Sequence, residues 1–190
     1  MESAVMQYTL YHGTPQCYVD NIINDGFAIS TSETHWMGKG VYFYDDAHRA
    51  YSFVNKVRKD AIPAVLKAEL EVEKHKILDL VNNAIDKEKF KQFIISQFAE
   101  DEHAIVLKDS DMADEKSRDK IIFKFKCALF DRYCIDNSNI ELLICAHNTH
   151  PGCHMQILMK SLGIDHNIEV QYCAKVLNII KNISLMEVES

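Results

Sequence analysis

A chain of 190 residues with 47% hydrophobic content is long enough to bury a substantial core, and the length suits one domain better than two. Its charged, Gly and Pro fractions are those of a globular protein, which excludes disordered and fibrous classes. The formal net charge of −7 argues against a broad electropositive surface that holds nucleic acid nonspecifically.

Gln7 to Tyr11 alternates aromatic and aliphatic residues as a strand does, and it stops at His12-Gly13-Thr14-Pro15, a turn before a helix. Val19, Ile22 and Ile23 recur at helical spacing, and Asp25-Gly26 closes that helix. After a short stretch from Phe27 to Ser32, Trp36-Met37-Gly38-Lys39-Gly40 leads into Val41-Tyr42-Phe43-Tyr44, a strand rich in aromatics. Asp45 and Asp46 can cap a helix through Ala47, Ala50, Tyr51 and Val54. Ile62 to Val72 alternates again, and Ile77 to Val81 reads as a further strand.

From Asn82 the period changes, with Ile85, Phe90, Phe93, Ile94 and Phe98 on one face of an amphipathic helix. Ile121 to Phe130 fits a strand and a helix equally, whereas Met155, Leu158, Met159 and Leu162 read as helix. Gln171 to Ala174 and Ile179 to Met186 read as closing strands. No internal repeat or low-complexity segment is present.

Met1 to Leu10 lacks the basic start and apolar run of a secretory signal, and no apolar stretch approaches a membrane span. The cysteines Cys17, Cys127, Cys134, Cys145, Cys153 and Cys173 form no C-x-x-C pair, so reduced thiols and a cytoplasmic location are expected. Cys145, His147, His150, Cys153 and His154 crowd together with the number of ligands that zinc needs. Their spacing matches no zinc-finger pattern and Pro151-Gly152 marks a turn, so no metal is assigned. Lys116, Arg118, Lys120, Lys124 and Lys126 form a basic run suited to a phosphate backbone or to a solvated helix face.

Gly38-Lys39-Gly40 has the spacing of neither a dinucleotide-binding nor a P-loop fingerprint, and its glycines precede a strand instead of opening a helix. In combination with the strand-end His12-Gly13 it has a different meaning. Tyr11-His12-Gly13-Thr14 and Gly38-Lys39-Gly40-Val41-Tyr42-Phe43 resemble the first two signature motifs of the diphtheria-toxin and poly(ADP-ribose) polymerase type of ADP-ribosyltransferase. The likeness covers residues 8 to 72 and again 165 to 188. It implies an α+β fold on a split, mainly antiparallel sheet, with residues 1–190 as one domain and a mostly helical insertion at about 82–164.

The resemblance also implies NAD as co-substrate and roles for individual residues. Gly13 offers its backbone to the carboxamide, where the missing side chain permits close approach. Tyr42 and Phe53 sandwich the nicotinamide ring, and Ala50 is the small residue near the amide. His12 binds the adenine-side ribose hydroxyl with support from Thr14. The third catalytic position, often Glu, belongs on a late strand. Arg132-Tyr133-Cys134-Ile135 has a strand-like look but offers only the neighbouring Asp131, so Gln171 is chosen from Glu169-Val170-Gln171-Tyr172.

A neutral Gln supplies an oriented dipole and cannot deprotonate an acceptor. Glu169, two residues earlier on the same strand face, can do so. The expected reaction is mono-ADP-ribosyl transfer with release of nicotinamide, and the acceptor is a macromolecule, either protein or RNA/DNA. NAD glycohydrolase activity and a catalytically inactive NAD or ADP-ribose binding module are the rivals. The toxin-like and phage-defence members of this type add an antitoxin or inhibitor protein as an expected partner, with no membrane involved.

Overall fold

The computed structural model describes residues 4–30, 35–99, 115–148 and 168–187. The strands are β1 (Val5–Pro15), β2 (Val41–Tyr44), β3 (Pro63–Glu73), β4 (Ile77–Asp79), β5 (Leu142–Asn148), β6 (Ile168–Ala174) and β7 (Ile180–Met186). The α-helices are α1 (Val19–Asp25), α2 (Ala47–Val57), α3 (Ala84–Ala99) and α4 (Glu115–Asp136).

The strands form one sheet in the order β4-β5-β6-β2-β1-β3-β7. Every pairing is antiparallel except that of β4 with β5. This is the α+β class with a mainly antiparallel sheet that the family resemblance implied. The period-2 pattern of β3 fits its place between β1 and β7, with one face on the core: Ala68, Leu70 and Val72 are buried while Glu69 and Glu71 face out. β1 pairs with it without interruption from Val5↔Glu73 to Pro15↔Pro63. On its other edge β1 meets β2 only at Tyr11↔Tyr44. The sheet is therefore two well-paired blocks, β4-β5-β6-β2 and β1-β3-β7, joined at one residue pair and splayed beyond it.

Side-chain alternation divides the core between the two faces. Leu10, Val41, Phe43, Leu66, Leu70, Leu142 and Ile144 pack on one face with Val19 of α1 and with Phe27. On the other, Tyr44 and Val65 pack under Ala47 and Ala50 of α2. Asp46 caps α2 by accepting from the Arg49 N–H at 2.9 Å, as its position before the helix implied.

Residues 82–164 contribute α3, α4 and β5 within the described regions. Both ambiguous stretches, 121–130 and 132–135, are helical in α4. The helix prevails because it brings Phe130 and Tyr133, three residues apart, onto Phe90 of α3. Phe90 stacks on Phe130 at 4.8 Å and meets Tyr133 edge-on at 5.0 Å. Ile85, expected on the apolar face of α3, is exposed. The helix read at 155–162 lies outside the described residues.

Candidate active site

Beyond Tyr11↔Tyr44 the next partners along the two strands would be His12 with Phe43, but the strands separate and a side chain takes the place of the ladder. The His12 Nδ1 lies 2.8 Å from the Tyr42 carbonyl. A carbonyl only accepts, so Nδ1 carries the proton and Nε2 of the neutral ring is left as an acceptor. The ring sits edge-on to Phe27 at 4.9 Å and Phe43 at 5.9 Å. Burial among them holds the imidazole pKa below its ordinary value despite the Tyr42 bond, which keeps the ring neutral. Thr14, on the same strand face, is buried.

Gly13 points the other way, onto α2. A Cβ there would strike the Ala50 carbonyl oxygen and lie 2.7 Å from Val54 Cγ2, so glycine is required by close helix–strand approach. Ala50 is small for the same reason and fully buried.

The Gly-Lys-Gly loop is clamped from several directions. The Tyr42 hydroxyl accepts from the Met37 N–H at 2.9 Å and donates to the Gly38 carbonyl at 2.7 Å. Asp131 of α4 accepts from the Lys39 N–H at 2.8 Å. The Lys175 ammonium donates to the carbonyls of Met37 at 2.6 Å and Lys39 at 2.9 Å, with Asp131 at 3.6 Å. Gly38 has φ +77°, and a side chain there would collide with the Asp131 carboxylate. Asp131 thus acts on the loop from a helix.

Tyr42 and Phe53, the pair expected to sandwich the nicotinamide ring, each have another ring beside them. The Tyr42 ring meets His35 at 5.0 Å, and burial raises the pKa of its hydroxyl. Phe53, which is 47% exposed, has Tyr44 beside it at 6.0 Å.

Gln171 is opposite Tyr44 on β2 and Cys145 on β5, and it is 7% exposed. Its amide is engaged at both ends: Oε1 accepts from the Trp36 indole N–H at 2.7 Å, and Nε2 donates to the Tyr44 hydroxyl at 2.9 Å. Glu169, two residues earlier on the same strand face, is partly exposed. Burial, and secondarily the Glu169 charge, raise the pKa of Tyr44. Lys126 of α4 lies over the Trp36 ring, 5.1 Å from its centroid. Sequence reasoning named Gln171 and Glu169 but passed over Trp36 and Tyr44. The available signals were the single Trp beside Gly-Lys-Gly and the period-2 spacing that places Tyr44 on the face of Tyr42.

Cys17, Cys127, Cys134, Cys145 and Cys173 are free thiols. Burial pushes the pKa of Cys173 up to about 12 and that of Cys145 up to about 11, so neither is an activated nucleophile. His150, Cys153 and His154 of the Cys- and His-rich segment lie outside the described residues. Among the described residues no helix is long and apolar enough to cross a membrane.

The family model for the poly(ADP-ribose) polymerase catalytic domain matches residues 3–140. That span includes β1, β2 and α2 and ends before β5. An uncharacterized protein of Methanocaldococcus jannaschii is 31% identical over 83 residues, covering 40% of this chain. The chain spans 38% of that relative's own length. No solved structure matches.

Proposed function

The chain belongs to the poly(ADP-ribose) polymerase catalytic-domain family, whose chemistry is ADP-ribosyl transfer from NAD, and from that premise we propose a mono-ADP-ribosyltransferase acting on a macromolecule. The observation that carries the reading is the opening between β1 and β2. There a partly buried, neutral His12 presents an Nε2 acceptor, and Gly13 brings bare backbone alongside α2. These features suit a ribose hydroxyl and a carboxamide, and the partly exposed Phe53 offers a face for a flat ring.

In the reaction the bond between nicotinamide and ribose breaks, and its electron pair leaves with neutral nicotinamide. Positive charge develops on the ribose until the acceptor's nucleophile adds to C1′. Glu169 is the single carboxylate of β6. It faces that charge and takes the proton lost by the acceptor. Gln171 is the family's third position in this reading, and its neutral amide favours one transfer over chain elongation.

The engagement of both ends of the Gln171 amide favours one rival, an NAD or ADP-ribose binding module without turnover. Labelled NAD, incubated with the pure chain and a cell lysate, tests both. Nicotinamide release with label retained on a target supports transfer, and release without retained label indicates a glycohydrolase. No release indicates the binding module. Protease and nuclease digestion then assigns the acceptor to protein or nucleic acid. A toxin or defence role, the setting of the relatives that the first motifs resemble, is tested by growth arrest on expression that His12→Ala relieves.

A further inference from the structure

Three side chains from separate parts of the fold form a hydrogen-bond chain whose direction follows from their chemistry. The Trp36 indole has a donor and no acceptor, so its bond to Gln171 places Oε1 at that end of the amide. The amide nitrogen then faces the Tyr44 hydroxyl and donates to it. With its oxygen accepting from Gln171, the Tyr44 O–H must donate elsewhere, and among the described residues it has no acceptor. Tyr44 is 5% exposed, and a donor at that depth is rarely left unpaired because its lost hydration is not replaced.

The surroundings of that proton point to a ligand. Tyr44 packs with Ala47 and Ala50 of α2, and Gly13 closes against the same Ala50. The ring of Phe53 lies beside Tyr44 at 6.0 Å with a tilt of 45°. We propose that Tyr44 donates its unpaired proton to the carboxamide oxygen of the nicotinamide group of NAD, and that Trp36 and Gln171 are positioning residues which aim it. The inference rests on the NAD reading above. A carboxamide on a flat ring suits this corner because the corner combines a ring to stack on with a donor in need of an acceptor. The raised pKa keeps the hydroxyl protonated, so it remains a donor at every physiological pH.

The test compares NAD with ADP-ribose, which lacks nicotinamide, by calorimetric titration of the unmodified chain, Tyr44→Phe and Trp36→Phe. Tyr44→Phe keeps the ring and removes one hydroxyl. It is expected to weaken NAD binding about five- to ten-fold, the usual value of one neutral hydrogen bond, and to leave ADP-ribose binding unchanged. Trp36→Phe frees the Gln171 amide to turn, and it is expected to lower NAD affinity relative to ADP-ribose by a smaller factor. A merely structural role would reduce both ligands alike.

Thionicotinamide adenine dinucleotide, whose sulfur is a weak acceptor, varies the ligand instead of the protein and keeps the test valid if a variant fails to fold. It should bind the unmodified chain several-fold more weakly than NAD. Equal losses for NAD and ADP-ribose in Tyr44→Phe, or unchanged NAD binding by that variant, overturn the inference alone. Failure of the unmodified chain to bind NAD overturns the functional reading and this inference with it.

Discussion

Restoring the acidic residue that relatives often carry should harm this protein, and Gln171→Glu is the substitution that shows why. The side chain is buried, with a Trp36 donor on one oxygen and the Tyr44 hydroxyl on its amide nitrogen. A carboxylate at 171 keeps the Trp36 bond but has no hydrogen to give Tyr44. The Tyr44 O–H turns inward and donates to the carboxylate, so the donor directed at NAD is lost.

Two charge-assisted bonds of about 1.5–3 kcal/mol each offset a desolvation cost of several kcal/mol. The net expectation is destabilisation by roughly 1–3 kcal/mol. Burial raises the pKa of the new carboxyl group above its unfolded value. Its stability contribution is therefore fully present below the unfolded pKa of about 4.3 and is lost as pH rises through the folded pKa. NAD affinity should follow the same course, near that of the unmodified chain at acidic pH and about ten-fold weaker at alkaline pH. Urea denaturation and NAD titration across pH 5–9 check both. If Gln171→Glu binds NAD more tightly or releases nicotinamide faster at alkaline pH, the directed hydrogen-bond chain is wrong and Gln171 acts on the ribose itself.

His12→Ala should lower NAD affinity about ten-fold or more while circular dichroism stays unchanged, since it removes the Nε2 acceptor. In the unmodified chain the depressed His12 pKa makes its stability contribution present above the unfolded value of about 6.5, and that contribution is lost as pH falls through the folded pKa. Urea midpoints at pH 7.5 and pH 5 that do not differ more than those of His12→Gln would remove this assignment. Gly13→Ala should destabilise by about 3 kcal/mol, because the methyl would lie 2.7 Å from Val54 Cγ2 and 2.9 Å from the Ala50 carbonyl carbon, forcing α2 off β1. For a chain of this length that lowers Tm by roughly 6–12 °C, which thermal melting measures. Glu169→Gln should reduce target labelling and nicotinamide release on the order of 10²-fold, and an unchanged rate of both would exclude Glu169 from the chemistry.

Features set by near neighbours in the chain were legible before folding was considered. Alternation marked β1 and β3, a run of aromatics marked β2, Asp46 announced the start of α2, and Gly26 the end of α1, because pleating, capping and left-handed φ are decided within a few residues. His12-Gly13 and Gly-Lys-Gly-Val-Tyr-Phe could be recognised as a pair for the same reason, since each motif is contiguous. Tertiary structure alone decided what residues outside these motifs do. Residues 132–135 have a strand-like look, but the contacts of Phe130, stacked, and Tyr133, edge-on, with Phe90, forty residues away and more, make them helix. Trp36 and Gln171 are 135 positions apart, and their contact depends on β6 pairing with β2 in a register that puts Gln171 opposite Tyr44. No local pattern encodes such a contact. It exists because strand pairing closes a long loop at a cost in chain entropy that the buried faces of the whole sheet offset together.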